Sequence, residues 1–182
     1  MNTFIYWTIP LLCLISLSAC KTNKVSAGKT KYRSFTENTF LNEEWGYQIA
    51  YPEEWELELQ GQELSITEPY AMGFPRGFHV AVVPHRGEDL DELVEVSIQE
   101  AFRSKTDPDV LDDQSIEIDR LPGRKVTLQL DFSDLSYAGI QYILVNEDEG
   151  LIYILTGICT TDFFEISEPT FEAMALSFKA GV

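Results

Sequence analysis

Two histidines, three cysteines and a short run of aspartates are the side chains of this 182-residue chain whose types could do chemistry. Cys159 as a thiol nucleophile would need a histidine beside it, and His79 and His85 are the only candidates. On an extended chain, positions 79 and 85 lie ~20 Å apart, so the two imidazoles cannot chelate one metal together. Asp107, Asp109, Asp112 and Asp113 form the best calcium candidate. An EF-hand loop needs glycine sixth and glutamate twelfth. Counted from Asp107, those places hold Asp112 and Ile118. An irregular divalent-cation loop is what remains of that reading, against a plain solvated acidic loop. The sequence has no glycine-rich phosphate loop, Gly-x-Ser-x-Gly elbow or His-Glu-x-x-His pair. No catalytic residue is assigned.

A different signal lies in the stretch from Pro69 to Phe78, Pro-Tyr-Ala-Met-Gly-Phe-Pro-Arg-Gly-Phe. Aromatic residues beside an arginine, on a loop joining two strands, have the composition of a binding hot spot. Tyr70, Phe74, Arg76 and Phe78 are therefore the candidate partner-binding residues. The competing expectation is that the aromatics fold back and cap the sheet edge. Trp45, Tyr47, Tyr51 and Trp55 form a second aromatic group, expected to fill the core.

Near the front, Leu17-Ser18-Ala19-Cys20 follows the mostly apolar residues 4–17, too short a run to span a bilayer as a helix. The stretch resembles the lipobox of bacterial lipoproteins. That resemblance implies diacylglycerol on the Cys20 sulfur, cleavage before Cys20, and attachment to the membrane through lipid. Alternatives for the same residues are an uncleaved short anchor or a lipid-free secreted protein. Met1-Asn2-Thr3 carries no lysine or arginine, a departure from the usual signal. Lys21 stands where aspartate would mark inner-membrane retention. The resemblance thus points to the outer membrane where the cell has one, and otherwise to the outer face of the cytoplasmic membrane. With Cys13 lost in the signal and Cys20 lipidated, Cys159 would be the sole thiol left, a small buried hydrophobe.

Charge divides the chain. Residues 21–33 hold five of the 13 basic residues and no acid, whereas the remaining eight face all 30 acids from residue 34 onward, a net −22. The basic stretch, nearly free of large apolar residues, is expected to be a disordered tether. The acidic remainder excludes nucleic acid as partner, because phosphate neutralisation by Lys and Arg supplies most of that affinity.

Alternation of apolar and polar residues at 56–59, 63–67 and 126–132 marks strands with one wet face, usually antiparallel. Residues 140–145 and 151–158 lack alternation and flank Asn146-Glu147-Asp148-Glu149-Gly150. They read as two central strands joined by a five-residue, glycine-closed turn. Asp89 with Glu92 predicts a capped helix presenting Leu90, Leu93, Val94, Ser97, Ala101 and Phe102 on one face. A second helix is expected to begin near Pro169 and to align Phe171, Met174, Ala175 and Phe178. The fold class is α+β, a central antiparallel sheet flanked by helices.

Residues 46–55, Gly-Tyr-Gln-Ile-Ala-Tyr-Pro-Glu-Glu-Trp, resemble the opening aromatic–hydrophobic–Tyr-Pro-x-x-Trp motif of PsbP-like domains, relatives of the photosystem II extrinsic protein PsbP. The closing Ala175-Leu176-Ser177-Phe178 resembles that family's terminal Ser-Phe. The resemblance spans about residues 40–179 and implies the same sheet-and-helix architecture. Many bacterial members are small lipoproteins, and no catalytic residues carry over. The expected organisation is a signal at 1–19, a lipidated tether at 20–36 and one domain at 37–182. The expected function is a non-catalytic interaction or assembly module of the cell envelope, held to the membrane by Cys20, with a protein partner and no cofactor. The alternatives are an accessory subunit of a photosynthetic membrane complex, and an envelope metal-binding protein or hydrolase.

Overall fold

The computed structural model describes residues 28–31, 36–69, 76–101, 108–132 and 135–182. Eleven strands and two helices follow one another in the described chain, all strand pairs being antiparallel. The strands are β1 (Gly28–Lys31), β2 (Thr36–Asn42), β3 (Tyr47–Pro52), β4 (Glu56–Gln60), β5 (Glu63–Thr67) and β6 (Gly77–Pro84). After helix α1 (Leu90–Ala101) come β7 (Asp109–Ile118), β8 (Leu121–Phe132), β9 (Leu135–Asn146) and β10 (Leu151–Thr160). A 3-10 turn (Thr161–Phe163), helix α2 (Phe164–Leu176) and the short β11 (Lys179–Ala180) complete it. The large sheet has the order β4-β5-β6-β10-β9-β8-β7, and a smaller sheet the order β1-β2-β3-β11.

Each helix covers one face of the large sheet. On the α2 side lie Leu64, Ile66, Phe78, Val80, Tyr142, Tyr153, Leu155 and Phe171. On the α1 side Val94 packs on Val126, Leu128, Ile143 and Ile152. The alternating strands therefore point their apolar residues in opposite directions, β5 toward α2 and β8 toward α1. Strands β9 and β10 supply buried apolar residues to both faces, Tyr142 and Leu155 to the α2 side and Ile143 and Ile152 to the α1 side, which is why their sequences do not alternate. The aromatic group also falls as expected: Tyr47, Tyr51 and Trp55 are buried and Trp45 packs half-buried against them.

Helix α1 starts as predicted, with Asp89 Oδ1 accepting from the Glu92 backbone N–H at 2.8 Å. The β9–β10 turn is one residue shorter than expected, because Asn146 pairs with Leu151 and only residues 147–150 connect them. Asn146 Oδ1 accepts from the Glu149 N–H, and Gly150 takes the left-handed φ of 63° that closes the turn.

Two expectations are corrected. Helix α2 begins at Phe164, so Pro169 lies inside it. Proline omits one backbone donor near a helix start, a loss offset by packing of the buried Ser167, Phe171, Met174 and Ala175. Ser167 Oγ also donates to the Phe163 carbonyl at 2.6 Å, supplying a partner just before the helix. The aspartates from 109 to 113 are part of β7 rather than a loop, for an edge strand needs no buried alternation. Toward the front of the described chain, Gly28–Lys31 pairs with Thr36–Thr39 as β1.

Helix α2 sits where β10 has no side chain. A Cβ at Gly157 would stand 2.4 Å from Phe171 Cγ. Gly157→Ala is accordingly expected to lower stability by about 3 kcal/mol through overpacking. Urea unfolding of both proteins measures this, and an unchanged midpoint would mean that α2 stands away from the sheet.

Candidate functional site

The loop singled out in the sequence leaves β5 and returns at β6. Residues 70–75, and with them Tyr70 and Phe74, lie outside the described residues, so their candidacy is unaddressed. The base of the loop is well defined. Glu68 N–H donates to the Arg76 carbonyl at 2.9 Å. Arg76 Nε donates to Glu68 Oε2 at 2.6 Å, and its Nη2 donates to Oε1. The guanidinium also lies 5.9 Å from the Trp55 ring centroid, within cation–π reach. The forked bond to Glu68 raises the Arg76 pKa further, against the effect of burial. A planar fork gripping a carboxylate over an indole is a rigid clamp.

Phe78 corrects its assignment. It is fully buried on the α2 side, with its ring 6.2 Å from Phe171. As placed, it is a core residue and presents nothing to a partner. Position 78 pairs with Gly157 on β10, which fixes its face.

Cys159 and His79 are kept apart by the sheet itself. Cys159 is buried on the α2 face, where burial pushes its thiol pKa up, while Ser167 and Arg76 partly counter it. A raised pKa leaves little thiolate, the opposite of an activated nucleophile. His79 projects to the α1 face, adjacent in sequence to the α2-facing Phe78 and Val80. It takes part in a cross-strand row Ser65–His79–Thr156–Gln141. Ser65 Oγ and His79 Nδ1 share a hydrogen bond of 3.0 Å, and Gln141 Nε2 donates to Thr156 Oγ1 at 3.3 Å. Ser97 on α1 donates to Gln141 Oε1 at 3.0 Å. The row ties the helix to the sheet. Burial depresses the His79 pKa and keeps the ring neutral. His85 sits past the end of β6, with Nε2 3.1 Å from the Glu88 carbonyl oxygen.

Among the acids of the calcium candidate, Asp113 is gripped by Arg124, which also reaches Asp91 on α1. Asp112 accepts from Gln114. Asp107 lies outside the described residues. Among the described residues, no three His, Cys, Asp or Glu side chains converge as a metal site. No described helix is long and apolar enough to cross a membrane.

No sequence-family profile and no curated protein sequence matches this chain. Solved structures do. The solution structure of cyanobacterial PsbP from Synechocystis sp. PCC 6803 superposes with a TM-score of 0.63 at 10% identity, covering 90% of this chain and 98% of that one. The chain has a PsbP-like fold. The same fold relates it to LpqN, described as involved in cell envelope biogenesis of Mycobacterium tuberculosis, at TM-score 0.58 and 11% identity over 79% of this chain and 90% of that one. The Saccharomyces cerevisiae Ran-binding protein Mog1p matches at TM-score 0.62 and 7% identity, covering 81% and 97%. The PsbP-like signature residues prove to be packing residues. Tyr47 and Tyr51 are buried on β3, and Ser177 Oγ accepts from the Ala50 N–H at 2.9 Å while donating to the Met174 carbonyl at 2.6 Å. Phe178 stacks on Tyr47 at 5.7 Å and meets Tyr153 at 5.0 Å.

Two measurements follow. Arg76→Ala should cost about 1 kcal/mol, since the pair is only partly exposed, and Arg76→Lys should recover only part because it lacks the fork. Chemical denaturation reads both; full recovery by lysine would reduce the clamp to simple charge attraction. For His79 the folded pKa lies below the unfolded one. Its contribution to stability is thus complete above about pH 6.5 and lost as pH falls below it. His79→Gln should remove that part of the acid sensitivity; identical pH–stability profiles for the two proteins would refute it.

Proposed function

We propose that this chain is a lipid-anchored, non-catalytic interaction or assembly module of the cell envelope. One observation carries the reading: the reactive side chains of the described domain are used to hold structure. Arg76 is closed onto Glu68, Cys159 has a burial-raised thiol, and the neutral His79 bonds Ser65 on the opposite face. Such a domain works through its surface. The lipobox-like residues 17–20 supply the anchor, and LpqN offers a precedent in fold for envelope service. The loop after β5, whose sequence holds Tyr70 and Phe74 and whose base is the Arg76 clamp, is one proposed partner surface.

The likeness to cyanobacterial PsbP favours a second reading, an accessory subunit of a photosynthetic membrane complex. Co-purification of the chain with pigment-bearing membrane complexes of its source would support that reading, and pigment-free association would remove it.

The anchor is tested by Cys20→Ser. Two or three acyl chains, at ~0.8 kcal/mol per buried methylene, hold a protein firmly. The variant should lose labelled-palmitate incorporation and leave the membrane fraction. A variant that keeps both label and membrane would rule out lipidation at Cys20. In-membrane cross-linking with identification of neighbours tests the module itself, and reproducible specific neighbours are expected.

A further inference from the structure

Helix α2 is apolar on two sides. Its inner side buries Ser167, Phe171, Met174 and Ala175 against the sheets. Its outer side shows Ile166, Pro169, Ala173 and Leu176, spaced by three or four residues and hence in one line. Ile166 is 64% exposed, Leu176 62%, and Phe163 at the helix entrance 51%. A helix whose outward side carries an apolar line is normally covered. At 1.5 Å per residue the line from Phe163 to Leu176 runs ~20 Å. Along one edge of it lie Glu165, Glu168 and Glu172. Glu172 bonds Lys125 Nζ at 3.1 Å, yet keeps 47% of its side chain exposed.

That edge selects the occupant. Antiparallel pairing with a second copy would set one row of three glutamates against another. An anionic membrane surface would meet the same repulsion. A partner helix with an apolar face and basic residues beside it satisfies both features, as edge charges do in helix pairing. We propose that the outward face of α2 docks an amphipathic, basic-edged helix of a partner protein. The assignment rests on the interaction-module reading and adds a surface distinct from the loop after β5.

The test titrates a fluorescent helical peptide of about 18 residues, with a Leu/Ala face edged by lysines, into the full chain held in neutral nanodiscs. A peptide of the same apolar face edged by glutamates is the comparison. The lysine peptide should bind at least about tenfold more tightly. Ile166→Lys with Leu176→Lys should abolish this binding while leaving the melting curve unchanged, both sites being exposed. Glu165→Lys with Glu168→Lys should invert the preference between the peptides. Equal binding of the two peptides, or wild-type binding by the first double variant, would overturn the assignment. So would binding to phosphatidylglycerol vesicles, or self-association in sedimentation, that the first double variant abolishes. Cross-linking separates the two levels. Neighbours captured equally by wild type and the first double variant overturn the α2 face and leave the module reading standing. An absence of specific neighbours for both removes the module reading, and with it the basis of the α2 assignment.

Discussion

The fold turns on the contact between Phe171 and the bare backbone of Gly157. A side chain on β10 at that point would lift α2 away from the sheet, and Phe171 could no longer reach Phe78 or Trp55. Full burial of one phenylalanine is worth roughly 2–3 kcal/mol, but its placement matters beyond that sum. Trp55, held against Phe171, is the surface on which Arg76 lies. At the other end of the helix, Ser177 is bonded to Ala50, and Phe178 enters between Tyr47 and Tyr153. Helix α2 thus joins the two sheets and supports the base of the loop after β5.

A second junction closes the opposite corner. Asp119 and Arg120 form the β7–β8 turn with φ of 50° and 67°, a left-handed conformation that non-glycine residues adopt at some cost. Asp119 then accepts from the Ala180 N–H at 2.9 Å and from Lys179 Nζ at 3.3 Å. Its carboxylate fastens the C-terminal strand to the large sheet. The strained backbone and the two bonds belong together, since the turn is what aims that carboxylate at β11.

These constraints explain why the chemistry-bearing residues of the described domain are held in structural contacts. Strand alternation sends His79 and Cys159 to opposite faces, and burial moves each toward its neutral form. Arginines close upon acids of neighbouring elements, Arg76 upon Glu68 and Arg124 upon Asp113 and Asp91. In the proposed assignment, the apolar line and glutamate edge on α2 take a basic partner rather than an anionic lipid.

Much of the fold was legible in the sequence because local physics decided it. The Asp89 cap, the period-2 strands, the β9–β10 hairpin and the buried aromatic group near residue 50 need only neighbours a few positions away. The candidate site was legible only in part. Arg76 could be picked out by type, but not its closure onto Glu68 and Trp55, which depends on a strand pair and a distant tryptophan. Phe78 was misread because an aromatic beside a loop gives no sign of which sheet face it points to; pairing with Gly157 decides that. Asp109 to Asp113 looked like a loop because edge strands need no buried face. Pro169 looked like a helix start because proline's missing donor costs nothing there, whereas packing around Phe171 carries the helix through it. The sequence by itself determined those strands, turns and caps whose pattern is written in neighbouring residues. Tertiary structure alone decided which faces were covered, since burial is set by what arrives from far along the chain.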